Sequence, residues 1–238
     1  VTGYARPADR TADVAQDATV SLTGTYARQV WTWQHPLPQG HTLRGVWGSG
    51  ETDVFAVGDY GTVLHHDGGV WSIMDSGTAE VLMGVWGNSA TDVYAVGSVG
   101  TILHYDGAAW ATVGGGLAAT LFGVWGSGPA DIFAVGSAGT ILHYDGATWT
   151  PMASGTTHHL RGIWGSGPAN VFAVGDSGTV LHYDGTAWTP HDSDTAEDLV
   201  GVWGSGPDDV FAIDYRGVLH YDGAGWTPMA GGDSDTMQ

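Results

Sequence analysis

The sequence predicts an all-β fold, a five-bladed β-propeller of four-stranded antiparallel blades, and three observations predict it. The motif Gly-(Val/Ile)-Trp-Gly recurs every 39 residues, with its tryptophans at Trp47, Trp86, Trp125, Trp164 and Trp203. A second tryptophan follows each motif at a nearly fixed interval, at Trp71, Trp110, Trp149, Trp188 and Trp226. Each copy also divides into four short runs of β-branched and aromatic residues. Repeats of about 40 residues with four strands are typical of propeller blades.

The copy between Leu160 and Pro190 shows how the strands are assigned. Turn residues separate four predicted strands, namely Leu160–Gly165, Asn170–Gly175, Thr179–Tyr183 and Ala187–Pro190. The connections between them are too short for a crossover helix, so neighbouring strands are expected to run antiparallel. By the same spacing the blades span residues 43–74, 82–113, 121–152, 160–191 and 199–229.

The residues outside these copies leave two interpretations of how the ring ends. Val30–Pro36 resembles an unpaired fourth strand that closes the ring, which would remove exposed strand edges. Alternatively, Asp17 to Gln34 contributes to a degenerate sixth blade. Residues 1–29 are otherwise predicted to be an N-terminal extension or linker, with their membership of a larger precursor left open, and residues 230–238 a flexible tail.

The charge balance narrows the classes of partner. Six arginines, no lysine and 25 acidic residues give a formal net charge of −19. Such a field repels phosphate backbones and anionic lipid, so nucleic acid is not expected as a partner. No apolar run approaches the roughly 20 residues of a membrane span. Cations, neutral glycans and basic proteins suit this charge better, and the oligomeric state is left open.

Gly123 to Trp149 carries the repeat in its fullest form, Gly-Val-Trp-Gly-Ser-Gly-Pro-Ala-Asp-Ile-Phe-Ala-Val-Gly, then Gly-Thr-Ile-Leu-His-Tyr-Asp-Gly, then Trp. This pattern resembles the blades of a family of bacterial secreted β-propellers, and the resemblance extends from Val30 to Met229. More distantly, the turn from Asp145 to Trp149 is similar to the Asp-box of sialidase-type propellers and to photosystem assembly-factor propellers. The turn is one residue shorter than an Asp-box, so no sialidase activity is implied. The resemblance implies a propeller fold, a secreted or cell-surface location and a surface role.

Positions that are identical in all copies are most simply explained by blade geometry. The Asp-Gly pairs favour tight hairpin turns, and the alternative is a set of calcium or sugar sites. Those pairs begin at Asp67, Asp106, Asp145, Asp184 and Asp222. One histidine in each third strand is interpreted as a hydrogen-bonded core residue, and the motif tryptophans as packing between blades. These histidines are His65, His104, His143, His182 and His220.

Two repeated turns are the candidates for carbohydrate binding. Each combines a tyrosine, an aspartate and a tryptophan next to a turn that is expected to be exposed, and aromatic rings can stack on sugars. The candidate sugar-site residues are Tyr105, Asp106, Trp110, Tyr144, Asp145 and Trp149.

The positions at which the copies differ are predicted to gather on one face, where the first strands begin. The candidate ligand-binding residues of this variable face are Arg44, Tyr60, Arg161, Tyr215 and Arg216. Imidazole and carboxylate groups on the same face would suit a transition metal such as zinc or copper, unless they are simply solvated loop residues. The candidate metal ligands are His41, His158, His159, Glu197 and Asp198. The acidic loop from Asp192 to Asp198 is a second candidate, for calcium.

No catalytic constellation is present in the sequence, since Gly-x-Ser-x-Gly and nucleophilic Cys and Lys residues are missing. We therefore expect a protein that is not an enzyme. The first hypothesis is a secreted or cell-surface binding module with a glycan or protein partner, for example with lectin-like carbohydrate recognition. The alternatives are a structural or assembly protein of a surface layer or appendage, and a metal-binding protein with a site at the channel mouth.

Overall fold

A computed structural model describes residues 40–229, which belong to the compact unit Leu37–Gln238. They form five four-stranded antiparallel sheets, each with its strands in sequence order, and each sheet is one blade. Blade 1 consists of β1 (Leu43–Gly50), β2 (Asp53–Gly58), β3 (Val63–His66) and β4 (Trp71–Met74). Blade 2 consists of β5 (Leu82–Ser89), β6 (Asp92–Gly97), β7 (Ile102–Tyr105) and β8 (Trp110–Gly114). No helix among these residues is long and apolar enough to cross a membrane.

The other three blades repeat this order. Blade 3 consists of β9 (Leu121–Gly128), β10 (Asp131–Gly136), β11 (Ile141–Tyr144) and β12 (Trp149–Met152). Blade 4 consists of β13 (Leu160–Gly167), β14 (Asn170–Gly175), β15 (Val180–Tyr183) and β16 (Trp188–His191). Blade 5 consists of β17 (Gly201–Gly206), β18 (Asp209–Ile213), β19 (Val218–Tyr221) and β20 (Trp226–Pro228).

The predicted all-β class, the five blades and the antiparallel order are confirmed. The strand bounds differ most at the end of β13, which continues to Gly167 because that residue pairs with Asn170 after an irregularity in the register. The sequence pattern placed a turn there. The closing strand Val30–Pro36 and the alternative sixth blade from Asp17 lie outside the described residues.

In blades 1 to 4, the motif tryptophan of the first strand packs against the next blade. The ring of Trp86 in β5 lies over Gly126 in β9, where an added Cβ would stand 2.7 Å from ring atom Cη2. Trp47, Trp125 and Trp164 lie in the same way over Gly87, Gly165 and Gly204. The predicted packing role of the motif tryptophans is therefore confirmed for four of them. In each case the indole ring packs against a glycine of the next blade.

The core lies between adjacent blades and is aromatic. Phe133 of β10 is fully buried, and its ring meets Trp188 of the next blade edge-on, with the ring centroids 5.8 Å apart. Phe55 and Phe172 make the same contact with Trp110 and Trp226. Edge-to-face pairs of this kind add to the stability that area burial provides.

The third-strand histidines are hydrogen-bonded to the second strand, as predicted. His143 Nε2 lies 2.7 Å from the Oδ1 atom of Asp131, and its imidazole ring stacks on Phe133 at 4.4 Å. The same pair of aspartate and histidine occurs in blades 1, 2 and 5. In blade 4 the acceptor is Asn170, which leaves His182 with a neutral partner.

The described blades do not close into a ring. The first strands of consecutive blades pack side by side from blade 1 to blade 5, whereas blades 5 and 1 share no comparable interface. Trp203 of blade 5 is consequently 61% exposed, and Val46 of blade 1 is 70% exposed, against 8% for its equivalents Val85 and Val124. Two apolar blade faces are therefore open to solvent.

We expect Gly126→Ala to destabilise the protein by about 2 kcal/mol, because the added methyl group must displace the Trp86 ring or the Asp131 carbonyl oxygen, each under 3 Å away. Urea unfolding measures the change. Gly128→Ala is the matched control on the same strand, since a Cβ there meets nothing within 4 Å. Equal unfolding midpoints for the two variants would contradict the close packing of the Trp86 ring on Gly126.

Two histidines at the interface of blades 4 and 5 should make stability depend on pH. Burial lowers the pKa of His191, and burial together with the nearby His191 lowers the pKa of His182 below the ordinary 6.5, although Asp184 acts in the opposite direction. The native state thus prefers neutral rings. Stability is fully present above about pH 6.5, the pKa of histidine in unfolded chains, and falls as the pH drops through the two native values.

His191→Met should weaken this acid sensitivity, because methionine occupies the equivalent positions Met74 and Met152 in blades 1 and 3. Asn170→Asp should also weaken it by giving His182 the carboxylate partner found in the other blades. Urea midpoints at pH 7.5 and 5.0 provide the measurement. A variant that loses as much stability on acidification as the parent protein would refute the assignment.

Candidate functional site

One residue at the start of each first strand, three positions before the motif tryptophan, contributes to a shared cavity of about 360 Å³. Four residue types share this position among the five copies, as Arg44, Met83, Phe122, Arg161 and Val200. Thr42, Leu43 and Tyr215 complete the lining. We call these eight residues the variable mouth. It combines two guanidinium groups with apolar side chains in one open cavity.

Each arginine of the cavity is held by an aspartate of its own blade. Arg44 Nε donates to Asp59, and Arg161 Nε donates to Asp176, where both aspartates begin the turn between the second and third strands. The hydrogen bond from Arg44 lowers the pKa of Asp59. Because a guanidinium has five N–H donors, a bond through Nε leaves others available to a ligand. The carboxylates therefore orient the arginines without using all their donors.

Of the remaining candidates of the variable face, Tyr215 lines the cavity, whereas Tyr60 and Arg216 are not among its lining residues. Tyr215 is 85% exposed, and Arg216 forms an ion pair with Glu197 at 2.9 Å. Tyr60 has a left-handed backbone with φ of 57° and lies with its ring 4.9 Å from that of His41. Arg44, Arg161 and Arg216 are all the arginines between residues 40 and 229; the first two line the cavity, and the third follows the lining residue Tyr215 in sequence.

The structure does not gather the candidate metal ligands. Among residues 40–229, no three His, Asp or Glu side chains form a group that could hold a metal ion, including the acidic loop from Asp192 to Asp198. The physical reason is that the candidates bind local partners. His41 and His158 each contact a threonine hydroxyl through Nδ1 at 2.8 Å, and Glu197 is paired with Arg216. The expected arc of metal ligands is therefore not assembled among the described side chains.

Two of these candidates instead connect neighbouring blades. His159 of the segment leading into blade 4 accepts a hydrogen bond at Nδ1 from the Ala138 amide of blade 3, at 3.0 Å. Asp198, one repeat later, accepts one from the Ser177 amide of blade 4, at 2.9 Å. Their shared repeat position, five before the motif tryptophan, is thus a tether between adjacent blades.

The candidate sugar-site residues belong largely to the scaffold. The Asp106 carboxylate accepts hydrogen bonds from the Ala108 and Ala109 amides of its own turn, both at 2.9 Å, and Asp145 does the same in blade 3. These bonds lower the pKa of both aspartates. Gly107 and Gly146 of these turns have φ of 91°, as the hairpin interpretation requires.

The aromatic members of these turns are mostly covered. Tyr105 and Trp110 are only 9% and 8% exposed, and the Tyr105 hydroxyl donates to the Gly107 carbonyl oxygen. The Trp149 ring meets Tyr94 of the preceding blade edge-on, and Tyr144 packs beside it. A sugar would need an open indole face, and neighbouring protein atoms occupy that place.

Sequence reasoning missed the apolar half of the variable mouth. Met83, Phe122 and Val200 share the repeat position of Arg44 and Arg161, so the alignment of the copies already contained the signal. Only the charged residues at this position were predicted to bind a ligand. An apolar side chain is easily assigned to a core unless the structure shows that it lines a cavity.

Comparison with known proteins shows the fold and no family. No family model matches the chain, and no curated protein matches it. A structure of YCF48 bound to a D1 peptide is similar with a TM-score of 0.56 and 16% identity, covering 82% of each chain. YCF48 from Cyanidioschyzon merolae aligns with a TM-score of 0.62 and 19% identity over 79% of this chain and 69% of that one.

The WD40 propeller domain of Doa1 aligns with a TM-score of 0.65 and 11% identity, covering 77% of this chain and 67% of that one. The extracellular domain of the putative hybrid two-component system BT3049 of B. thetaiotaomicron gives 0.61 and 12%, and the match covers only 28% of that chain. At these identities the likeness establishes a propeller-type fold. Residues 40–229 therefore form a repeat β-propeller-type fold with five blades and a variable mouth.

Proposed function

We propose that this chain is a binding module for protein partners and that the variable mouth takes an extended peptide segment with a carboxylate beside apolar side chains. The observation that carries the proposal is the composition of the cavity, with two oriented guanidinium groups among Met83, Phe122 and Val200. Binding sites typically combine an apolar lining with a few placed polar groups that fix orientation. Arginine suits a carboxylate because its fork can bind both oxygens.

The charge of the chain limits how acidic such a peptide can be. A net charge of −19 repels polyanions, so one carboxylate among neutral side chains fits better than an acidic run. The pairing of Arg44 with Asp59 and of Arg161 with Asp176 reduces the local positive charge and favours recognition by geometry.

The wider setting of the proposal comes from the sequence. We also propose a secreted or cell-surface location, which the resemblance of the repeat supports, and a binding role without catalysis, which the missing catalytic motifs support. A YCF48 structure that contains a D1 peptide supports the idea that this type of fold can hold a peptide, although the identity is only 16%. Protein recognition is favoured over lectin-like recognition because the variable mouth is open, whereas protein atoms cover Trp110 and Trp149 of the candidate sugar sites.

The test begins with a phage-displayed library of random dodecapeptides, selected on the immobilised chain. We expect enrichment of peptides with one Asp, Glu or free C-terminus next to Leu, Met or Phe. Binding of a synthetic selected peptide is then measured by fluorescence polarisation. Arg161→Met and Arg44→Val place at each site the residue type found at that position in blades 2 and 5, and each should weaken binding about tenfold, the loss of one charge-assisted hydrogen bond.

Thr186→Ala is the matched control, since alanine occupies the equivalent position of blades 2 and 3, in a turn away from the cavity. It should leave affinity unchanged. Selected peptides that bind the two arginine variants as tightly as the parent chain would exclude the variable mouth as their site. A library without any enriched sequence would argue against peptide recognition altogether.

A further inference from the structure

The segment that joins blade 2 to blade 3 departs from the pattern of the other linking segments. After blades 1, 3 and 4 the segment contains a Ser-x-Thr turn, at residues 76–78, 154–156 and 193–195. The buried serine hydroxyl donates to the threonine carbonyl oxygen, and the threonine hydroxyl accepts a hydrogen bond from the amide two residues later. After blade 2 the same positions hold Gly115 and Leu117, so neither side-chain hydrogen bond can form.

A second departure lies beside the first. Val99 has a left-handed backbone, with φ of 54°, in the turn between the second and third strands of blade 2. A β-branched residue adopts this backbone only with strain, and strained positions often occur at binding sites. Leu117 packs directly on the adjoining Gly100, where an added Cβ would stand 2.7 Å from the Leu117 Cβ. The equivalents of Val99 in the other blades with this turn are Tyr60, Ala138 and Ser177.

The two departures place two large apolar side chains in solvent. Val99 is 54% exposed and Leu117 is 39% exposed, and we call this pair the blade 2 patch. Natural sequences generally agree with the local rules of their fold, and exceptions without a structural gain are expected at functional sites. Here the lost hydrogen bonds and the strained turn leave both side chains exposed, so stability explains neither residue.

The blade 2 patch lies on the same face as the variable mouth, beside the apolar part of its lining. Ser98, which precedes Val99, donates its amide to the Val81 carbonyl oxygen at 2.9 Å. Val81 lies two residues before Met83. The turn also packs against β9, whose second residue is Phe122. The patch is thus flanked by the two strands that supply Met83 and Phe122 to the cavity.

The cavity is too short to hold the whole of an extended peptide. Its volume of about 360 Å³ corresponds to a space ~7 Å across, and an extended chain rises about 3.3 Å per residue, so roughly two or three residues fill it. The flanking residues of a longer peptide therefore lie on the surface around the cavity.

We propose that the blade 2 patch binds a second apolar side chain of the peptide held at the variable mouth, at a fixed separation from the carboxylate. This inference rests on the peptide-binding function proposed above. The contact is uncharged, so the acidic charge of the chain does not oppose it, and its occupant is a side chain such as Leu, Ile, Met or Phe. Val99 and Leu117 are accordingly specificity-determining residues.

The test repeats the selection of random dodecapeptides on the parent chain and on the double variant Val99→Ser/Leu117→Thr. These substitutions introduce the residues that other blades hold at the same positions, Ser177 and Thr78. We expect peptides selected on the parent chain to share a second apolar residue at a constant distance from the acidic group. Peptides selected on the double variant should lose that residue and keep the acidic group with the first apolar residue.

Affinities then locate the contact. A synthetic peptide selected on the parent chain should bind the double variant about tenfold more weakly in fluorescence polarisation, because an apolar contact is lost. Replacing the second apolar residue of the peptide by serine should weaken binding to the parent chain by a similar factor. It should have little further effect on the double variant, since residues in contact are energetically coupled.

Val70→Thr is the matched control. Val70 is also an exposed valine, but it lies in the hairpin turn before β4, on the opposite face from the variable mouth. Blade 3 holds Thr148 at the equivalent position, so the fold accepts this substitution. The variant should bind the selected peptide as tightly as the parent chain.

Thermal unfolding separates a binding role from a structural one. The double variant should keep or raise the Tm, because threonine can restore the turn hydrogen bond and serine removes a β-branched residue from a left-handed position. A lowered Tm would assign both residues to maintenance of the fold and would overturn the proposal.

The peptides themselves distinguish failure of this inference from failure of the peptide site. Selected peptides without a second apolar position, or with equal affinity for the parent chain and the double variant, would overturn the role of the blade 2 patch. If Arg161→Met still weakens their binding, the site at the variable mouth stands. A library without any enriched peptide would overturn both proposals.

Discussion

The packing of a tryptophan on a glycine between successive blades is the contact on which the rest of this structure depends. A blade alone is a four-stranded sheet with two apolar sides, and neighbouring blades that cover these sides stabilise it. The ring of Trp86 can approach the β9 backbone only because Gly126 has no side chain. This close approach brings Phe133 and the fourth-strand tryptophans within aromatic contact. It also sets the spacing of the first strands, and therefore the spacing of the residues that line the variable mouth.

The residues that maintain the fold of each blade are different from the residues that are free to vary and to take part in binding. The aspartates of the hairpin turns and the third-strand histidines are satisfied inside each blade, by their own turn amides or by the second strand. The residue three positions before the motif tryptophan takes part in none of these hydrogen bonds. It can therefore carry arginine, methionine, phenylalanine or valine in different copies, and the cavity obtains its mixed chemistry from this freedom.

Blade 4 shows what happens when one copy departs from the shared pattern. Asn170 replaces the aspartate that pairs with histidine in the other blades, and His191 replaces a methionine of blades 1 and 3. Two imidazole groups then lie with ring centroids 5.3 Å apart in a partly buried site without a carboxylate bound to His182 Nε2. We therefore expect copies that are nearly identical in sequence to differ in their response to acid, since burial disfavours the charged form of an imidazole.

The sequence by itself determined the four-stranded repeat, the strand order, the Asp-Gly turns and the histidine bonds, because each depends on local spacing that repeats every 39 residues. Only the tertiary structure decided which variable residues meet. His158 and His159 looked like metal ligands, yet one bonds a threonine and the other the Ala138 amide of the preceding blade. Phe122 was not among the predicted site residues, yet it lines the cavity. Contacts between blades depend on how the blades are rotated and spaced, which no single copy of the repeat encodes.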